Sequence, residues 1–103
     1  MISLDSCPRR SEDVVWRMID DEVVILTADG REIHTLNKVG SIIWELADGT
    51  RSIIEIVRSI YERFDVDFEV AKVDVLEFVA QLADKNLLHI LPAGERKGGK
   101  DGD

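Results

Sequence analysis

The chain is expected to fold as an α+β domain: a three-stranded antiparallel sheet, then three helices and a short terminal extended segment, an arrangement of the winged helix-turn-helix kind. Three observations predict it. β-Branched and alternating stretches crowd the first third of the chain, whereas apolar residues at helical spacing begin only after Asn37. Turn-forming pairs at Asp20–Asp21, Asp29–Gly30 and Asp48–Gly49 separate the segments. With 103 residues, the chain has room for one domain with a single modest core.

Residues 1–12 carry no hydrophobic pattern and are expected to be a flexible lead-in to a domain over 13–91. In VVWRMI, Val14, Trp16 and Met18 alternate with Val15, Arg17 and Ile19, and Arg17 suggests that the second set faces out. After a turn at Asp20–Asp21, EVVILT is apolar on both faces, so alternation does not say which side is buried. Asp29–Gly30 suits a two-residue hairpin turn, and REIHTL reads as a third, shorter strand at a sheet edge.

Asn37 is placed to cap a first helix, with Val39, Ile42, Ile43 and Leu46 at helical spacing and Asp48–Gly49 ending it. Trp44 lies roughly 140° from Val39 by the helical period, off that stripe, so it either packs on the sheet or meets a partner. Ser52 with Glu55 forms a capping box for a second helix, striped by Ile53, Ile56, Val57, Ile60, Tyr61 and Phe64. Asp67 is expected to cap the third helix, which runs towards Leu88 with Asn86 as a left-handed stop. On this helix Val73, Leu76, Val79, Ala80 and Ala83 share one side, and Phe78 and Leu82 widen it. That apolar surface exceeds what one neighbour would cover. Either the helix is the centre of a small core or part of it lines a groove. Leu87–Leu91 reads as a brief extended segment ended by Pro92, and residues 92–103, rich in glycine and charge, as a disordered tail or linker.

The net charge of −8 repels phosphate backbones and makes basic or neutral partners easier. The third helix sets Asp67, Glu69, Asp74, Glu77 and Asp84 against Lys72 and Lys85 alone, a poor match to a major groove, so a nucleic-acid-binding regulator is the weaker alternative. No apolar run approaches a membrane span and the N-terminus does not resemble a secretion signal, so a cytoplasmic location is the expectation. Cys7, the only cysteine, is expected to be an exposed thiol. The two histidines, His34 and His89, have no Cys or carboxylate at ligand spacing, so no metal or cofactor is expected. No catalytic motif is present, and Asp74 and Glu77, one turn apart, read as a solvated face. Catalysis is not expected. Peptide binding is: an edge strand over Arg31–Leu36 can accept an added strand, with the wide helix receiving apolar side chains.

The run LNKVGSIIWELADGTRSIIEIV, followed from Asp74 to Leu88 by DV-x-x-F-V-x-x-L-x-x-x-x-LL, resembles the PqqD-like family. The pieces that carry the likeness are Leu36–Asn37, Ile43–Trp44, Asp48–Gly49, Ile56–Val57, Asp74–Val75, Phe78, Leu82 and Leu87–Leu88. These are recognition elements for ribosomally made, later modified precursor peptides. The resemblance implies a non-catalytic protein that binds a precursor's leader along the third strand and the cleft against the third helix. It then presents the leader to a modifying enzyme, a radical S-adenosylmethionine enzyme in the PQQ case. On this chain the strand would be Glu32, Ile33, His34, Thr35 and Leu36. Helical geometry adds Val73, Leu76, Glu77 and Ala80, and Trp44 is a weaker candidate for an enzyme contact in an adaptor that binds no leader. Asn86 stands where the family often has glycine. The Asn37–Gly49 run is nearer the broad group than the PQQ pathway protein itself. A monomer and a homodimer paired through the edge strand are both compatible with this reading.

Overall fold

The computed structural model describes residues 2–92. The chain order is β1 (Cys7–Arg10), β2 (Val15–Ile19), β3 (Glu22–Leu26), β4 (Ile33–Thr35), α1 (Lys38–Leu46), α2 (Ile53–Arg63), α3 (Phe68–Asp84) and β5 (Leu88–Leu91). Strands β2, β3 and β4 form an antiparallel meander in that order, and β1 pairs with β5 in a separate two-stranded sheet. The expected α+β composition is present, with one sheet more than the sequence pattern suggested. The expected tail from residue 93 onward lies outside the described residues.

The first departure is at the N-terminus. Residues read as a loose lead-in form β1, with Cys7 opposite Leu91 and Arg10 opposite Leu88. Cys7 is buried, which corrects the expectation of an exposed thiol. The segment is held because it satisfies helix ends that the helices cannot satisfy themselves. Ser6 and Leu4 carbonyls accept the N–H groups of Ile53 and Ile54 in the first turn of α2, at 2.8 and 3.0 Å. The Arg10 guanidinium donates to the Trp44 and Glu45 carbonyls at the end of α1, at 2.8 and 2.7 Å. None of these links leaves a periodic trace in the sequence.

In the meander, Asp20 and Asp21 both take positive φ, as a tight two-residue turn requires. The β3–β4 connection is longer than expected. Thr27 and Glu32 face each other across it, with Gly30 N–H donating to the Thr27 carbonyl at 2.9 Å and only Gly30 at positive φ. The Asp29 carboxylate holds the loop by accepting from the Thr27 hydroxyl and the Arg31 N–H. These same two bonds, the Arg31 N–H first, draw the Asp29 carboxyl below its ordinary value.

Asn37 caps α1 by accepting from Gly40 N–H at 2.7 Å, and the Ser52–Glu55 capping box is complete. Asp67 occupies the N-cap of α3 without a side-chain bond, and α3 ends at Asp84, with Asn86 left-handed as expected. The buried faces are rotated from those expected. On α1 the core is Gly40, Ser41, Ile43 and Trp44. On α3 it is Ala71, Val75, Val79 and Leu82. These join Val23 and Ile25 of β3 and the apolar stripe of α2 in one cluster. Trp44 is fully buried, edge-on to Trp16 with ring centroids 6.0 Å apart, while Arg10 lies 5.2 Å over the Trp16 ring. The indole is therefore a core pillar with no surface left for a partner, which removes it as a contact candidate.

Candidate functional site

The backbone of β4 defines the site. In an antiparallel ladder, alternate residues direct their N–H and C=O groups to the same neighbour. Leu36 N–H donates to the Val23 carbonyl at 2.9 Å, and Thr27 N–H donates to the Glu32 carbonyl at 3.0 Å. Glu32, His34 and Leu36 therefore face β3. Ile33 and Thr35 direct both backbone groups the other way, to the sheet edge that is open among the described residues.

Two concavities lie off the ends of that edge. At one end, Glu32 shares a concavity of about 500 Å³ with Asp13, Thr27, Lys85, Asn86 and His89. At the other, Asn37, Val39, Gly40 and Ile43 face Asp74, Glu77, Phe78 and Gln81 across about 300 Å³. The first lies off the Glu32 end of β4, and the second, a trough between α1 and α3, lies off its Asn37 end. Asp74, Phe78, Gln81 and Lys85 recur at three- and four-residue steps, so one face of α3 supplies the wall.

Gly40 sets the width of this trough. A Cβ there would meet Phe78 Cε1 at 2.8 Å, so only the lack of a side chain lets α1 close on the Phe78 ring. The result is an apolar notch of Val39, Ile43 and Phe78 next to the carboxylates of Asp74 and Glu77. Ser41 anchors the inner side. Its buried hydroxyl accepts from Val23 N–H at 2.7 Å and donates to the Leu36 carbonyl at 3.3 Å, tying α1 to both strands.

The anticipated residues separate into groups. Within the anticipated Glu32–Leu36, the strand at the sheet edge is Ile33–Thr35: Ile33 and Thr35 are exposed, half-buried His34 lies 3.1 Å from the Glu32 carboxylate, and Leu36 beyond the strand is buried. Of the α3 candidates, Glu77 lines the trough. Val73 is exposed, Leu76 packs against the core cluster, and Ala80 faces Ile2, Ala83 and Ile90 on another side of the helix. Asn37, Gly40, Asp74, Phe78, Gln81 and Lys85 were not anticipated as lining residues. A glycine inside a helix was the one available sign, since such a residue commonly marks close packing. Among the described residues no group of three or more His, Cys, Asp or Glu side chains is arranged to hold a metal. The arrangement offers backbone pairing, an apolar notch and carboxylates, which suit an extended peptide.

Residues 22–88 match the model of the family described as Coenzyme PQQ synthesis protein D (PqqD). The chain is 30% identical over 91 residues to the PqqA binding protein of Xanthomonas campestris pv. campestris (strain B100), covering 86% of this chain and 97% of that protein. Among solved structures it is similar to TbiB1 in complex with the TbiA(beta) leader peptide, with a TM-score of 0.72 and 34% identity over 90% of this chain and 99% of that one. The PqqD truncation of Methylobacterium extorquens PqqCD, a stand-alone recognition element for ribosomally synthesized and post-translationally modified peptides, gives a TM-score of 0.71. At 23% identity, over 86% of this chain and 95% of that one, the second likeness is one of fold. The matched segment runs from β3 through all three helices into β5, and the relative is matched over nearly its whole length; this chain belongs to the PqqD family.

Proposed function

We propose that this protein is a non-catalytic peptide chaperone that captures the leader of a ribosomally synthesised precursor and presents it to a modifying enzyme. A radical S-adenosylmethionine enzyme is one such partner, and PQQ synthesis is one of several pathways that fit. The observation that carries the reading is the open edge of β4, where Ile33 and Thr35 direct their backbone groups outward beside the trough of α3. An added strand pairs with those two residues while its side chains reach the Val39–Ile43–Phe78 notch on one side. Glu32, His34 and Leu36 hold the strand in place from within, and Glu77 joins Asp74 in favouring a neutral or basic leader segment. Exposed Val73 stands one helical turn from Glu77, whereas Leu76 packs against the core cluster and Ala80 lines a different concavity. Ordering a disordered leader costs about 2–5 kcal/mol, which keeps affinity moderate and allows release.

The relatives named for what they bind, a PqqA binding protein and a protein in complex with a leader peptide, support this reading. We read α1–α3 followed by β5 as a winged-helix-like arrangement used for protein contact and not for DNA, because the open face of α3 carries Asp74, Glu77 and Asp84. No helix among the described residues is long and apolar enough to cross a membrane, and we place the protein's work in the cytoplasm.

The test is a titration of ¹⁵N-labelled protein with the leader peptide encoded beside its gene. Saturable shifts are expected at 32–36 and along Asp74–Lys85. Ile33→Pro and Thr35→Pro each remove one outward N–H and should weaken binding with the fold intact. Binding at wild-type strength by both folded variants would sink strand addition at β4. Leu36→Pro serves as a contrast, because it removes the bond to Val23 and should lower stability.

A further inference from the structure

Strand alternation sorts the residues of an added strand into two sets. Glu32, His34 and Leu36 turn their side chains to the inner face of the sheet. His34 lies opposite fully buried Ile25, Leu36 is itself buried, and the Glu32 carboxylate is 3.1 Å from the His34 ring. Ile33 and Thr35 turn theirs to the outer face, where both are exposed. A strand paired through the outward backbone groups of Ile33 and Thr35 therefore places inner-facing residues opposite Glu32, His34 and Leu36. The outer two of these three positions are four residues apart, roughly 13 Å along the strand.

Those two positions meet different chemistry. The residue opposite Leu36 adjoins Asn37 and the trough, where Val39, Ile43 and Phe78 form an apolar notch beside Asp74 and Glu77. The residue opposite Glu32 adjoins the other concavity, in which Asp13, Asp29 and Glu32 stand with Lys85 and His89 as the basic groups. Among the described residues no lysine or arginine forms an ion pair with any of these three carboxylates.

We infer that the chain reads its leader by a register of four: a large apolar side chain opposite Leu36, seated in the notch, and a lysine or arginine opposite Glu32. The inference rests on the leader-presenting function above and names the peptide chemistry that this function selects. An aliphatic or aromatic side chain suits the notch because Val39, Ile43 and Phe78 offer it no polar partner. At the other end an acidic leader residue would meet three carboxylates of like sign, whereas a basic one meets opposite charge. A spacing one residue shorter or longer turns one of the two side chains to the outer face, away from its concavity.

The test measures the affinity of the wild-type chain for synthetic copies of the leader encoded beside its gene, each with one residue changed to alanine. Two replacements four residues apart should dominate. Loss of the apolar residue should weaken binding about tenfold or more. That difference should shrink in Phe78→Ala, and Val39→Ala repeats the measurement with a smaller change to the core. Loss of the basic residue should weaken binding about fivefold at low salt, as for an exposed ion pair, and hardly at all near about 1 M salt. Glu32→Lys should weaken wild-type leader, and leader carrying glutamate in place of its basic residue should restore the affinity. Glu32 is exposed, so the ¹⁵N spectrum of this variant should keep the wild-type fold. Dominant residues at another spacing overturn the inference and leave leader capture standing. So does a Glu32→Lys loss that the glutamate leader does not restore. Absence of any leader binding by the folded wild-type chain overturns both.

Discussion

A few side chains determine whether the edge of β4 is presented correctly. Ser41 is the clearest: its hydroxyl is the partner of Val23 N–H inside the core. Ser41→Ala leaves that N–H buried and unpaired, which costs about 1–3 kcal/mol. The expected result is a lower urea midpoint with an unchanged slope. Asp48 makes a second case. Burial pushes its carboxyl up, but the Thr50 hydroxyl and N–H and the Arg51 guanidinium outweigh it, and the net direction is down. A carboxyl lowered in the folded state contributes stability that is complete above its unfolded pKa and is lost as pH falls through the folded value. Wild-type protein should therefore be more stable than Asp48→Asn at neutral pH, and the gap should close below about pH 4. Thermal melts of the two proteins from pH 7 to pH 2 check this. A constant gap would show that the hydrogen bonds to Asp48 do not depend on its charge. The Trp44 indole Nε1–H has no hydrogen-bond partner among the described residues, so this side chain is held by packing alone.

Between elements, the approach of α1 to α3 shapes the trough. Gly40→Ala places a methyl where the Phe78 ring edge now sits, 2.8 Å away. The ring is half-buried and borders the open trough, so it is displaced into the notch more readily than the helices part. Overpacking of this kind costs about 1–3 kcal/mol. The leader affinity of Gly40→Ala should fall further than its stability, and Phe78→Leu in the same chain should restore part of the affinity. Calorimetric titration of the single and double variants measures both. A loss shared by Gly40→Ala and the double variant would instead mean that the backbone at Gly40 itself contacts the peptide. The capping box of α2 and the Asn37 cap of α1 were legible beforehand because each is a short-range pattern with a local cause. The buried sides of α1 and α3 were legible only in part, at Ile43, Val79 and Leu82. Gly40, Ser41 and Ala71 are small or polar, and periodicity gives weight to large apolar residues such as Val73 that in fact stand in solvent.

At the scale of the molecule, the first and last strands of the described residues meet in the β1–β5 pair, and β5 packs against α3. Removing residues 1–11 would unpair β5 and expose the first-turn N–H groups of Ile53 and Ile54. A domain of this size has only about 5–15 kcal/mol to lose. Loss of the cooperative thermal transition is the expected outcome, and retention of it would show that β1 contributes little. The same closure explains why the lead-in was misread. Cys-Pro-Arg-Arg has no strand pattern of its own, and β1 exists because Leu88–Leu91, some eighty residues later in the chain, supplies its partner.

By itself the sequence determined the α+β order, the meander, the helix starts, the left-handed stop at Asn86, the acidic surface and the family resemblance. These depend on nearest neighbours, on short periods or on ordered motifs. Only the tertiary structure decided which backbone groups of β4 stay open, which side of α3 faces them, and that Trp44 is buried while Val15 and Ile33 are not. Those outcomes are set by contacts between segments far apart in the chain, where a small residue such as Gly40 or Ser41 counts for as much as a large one.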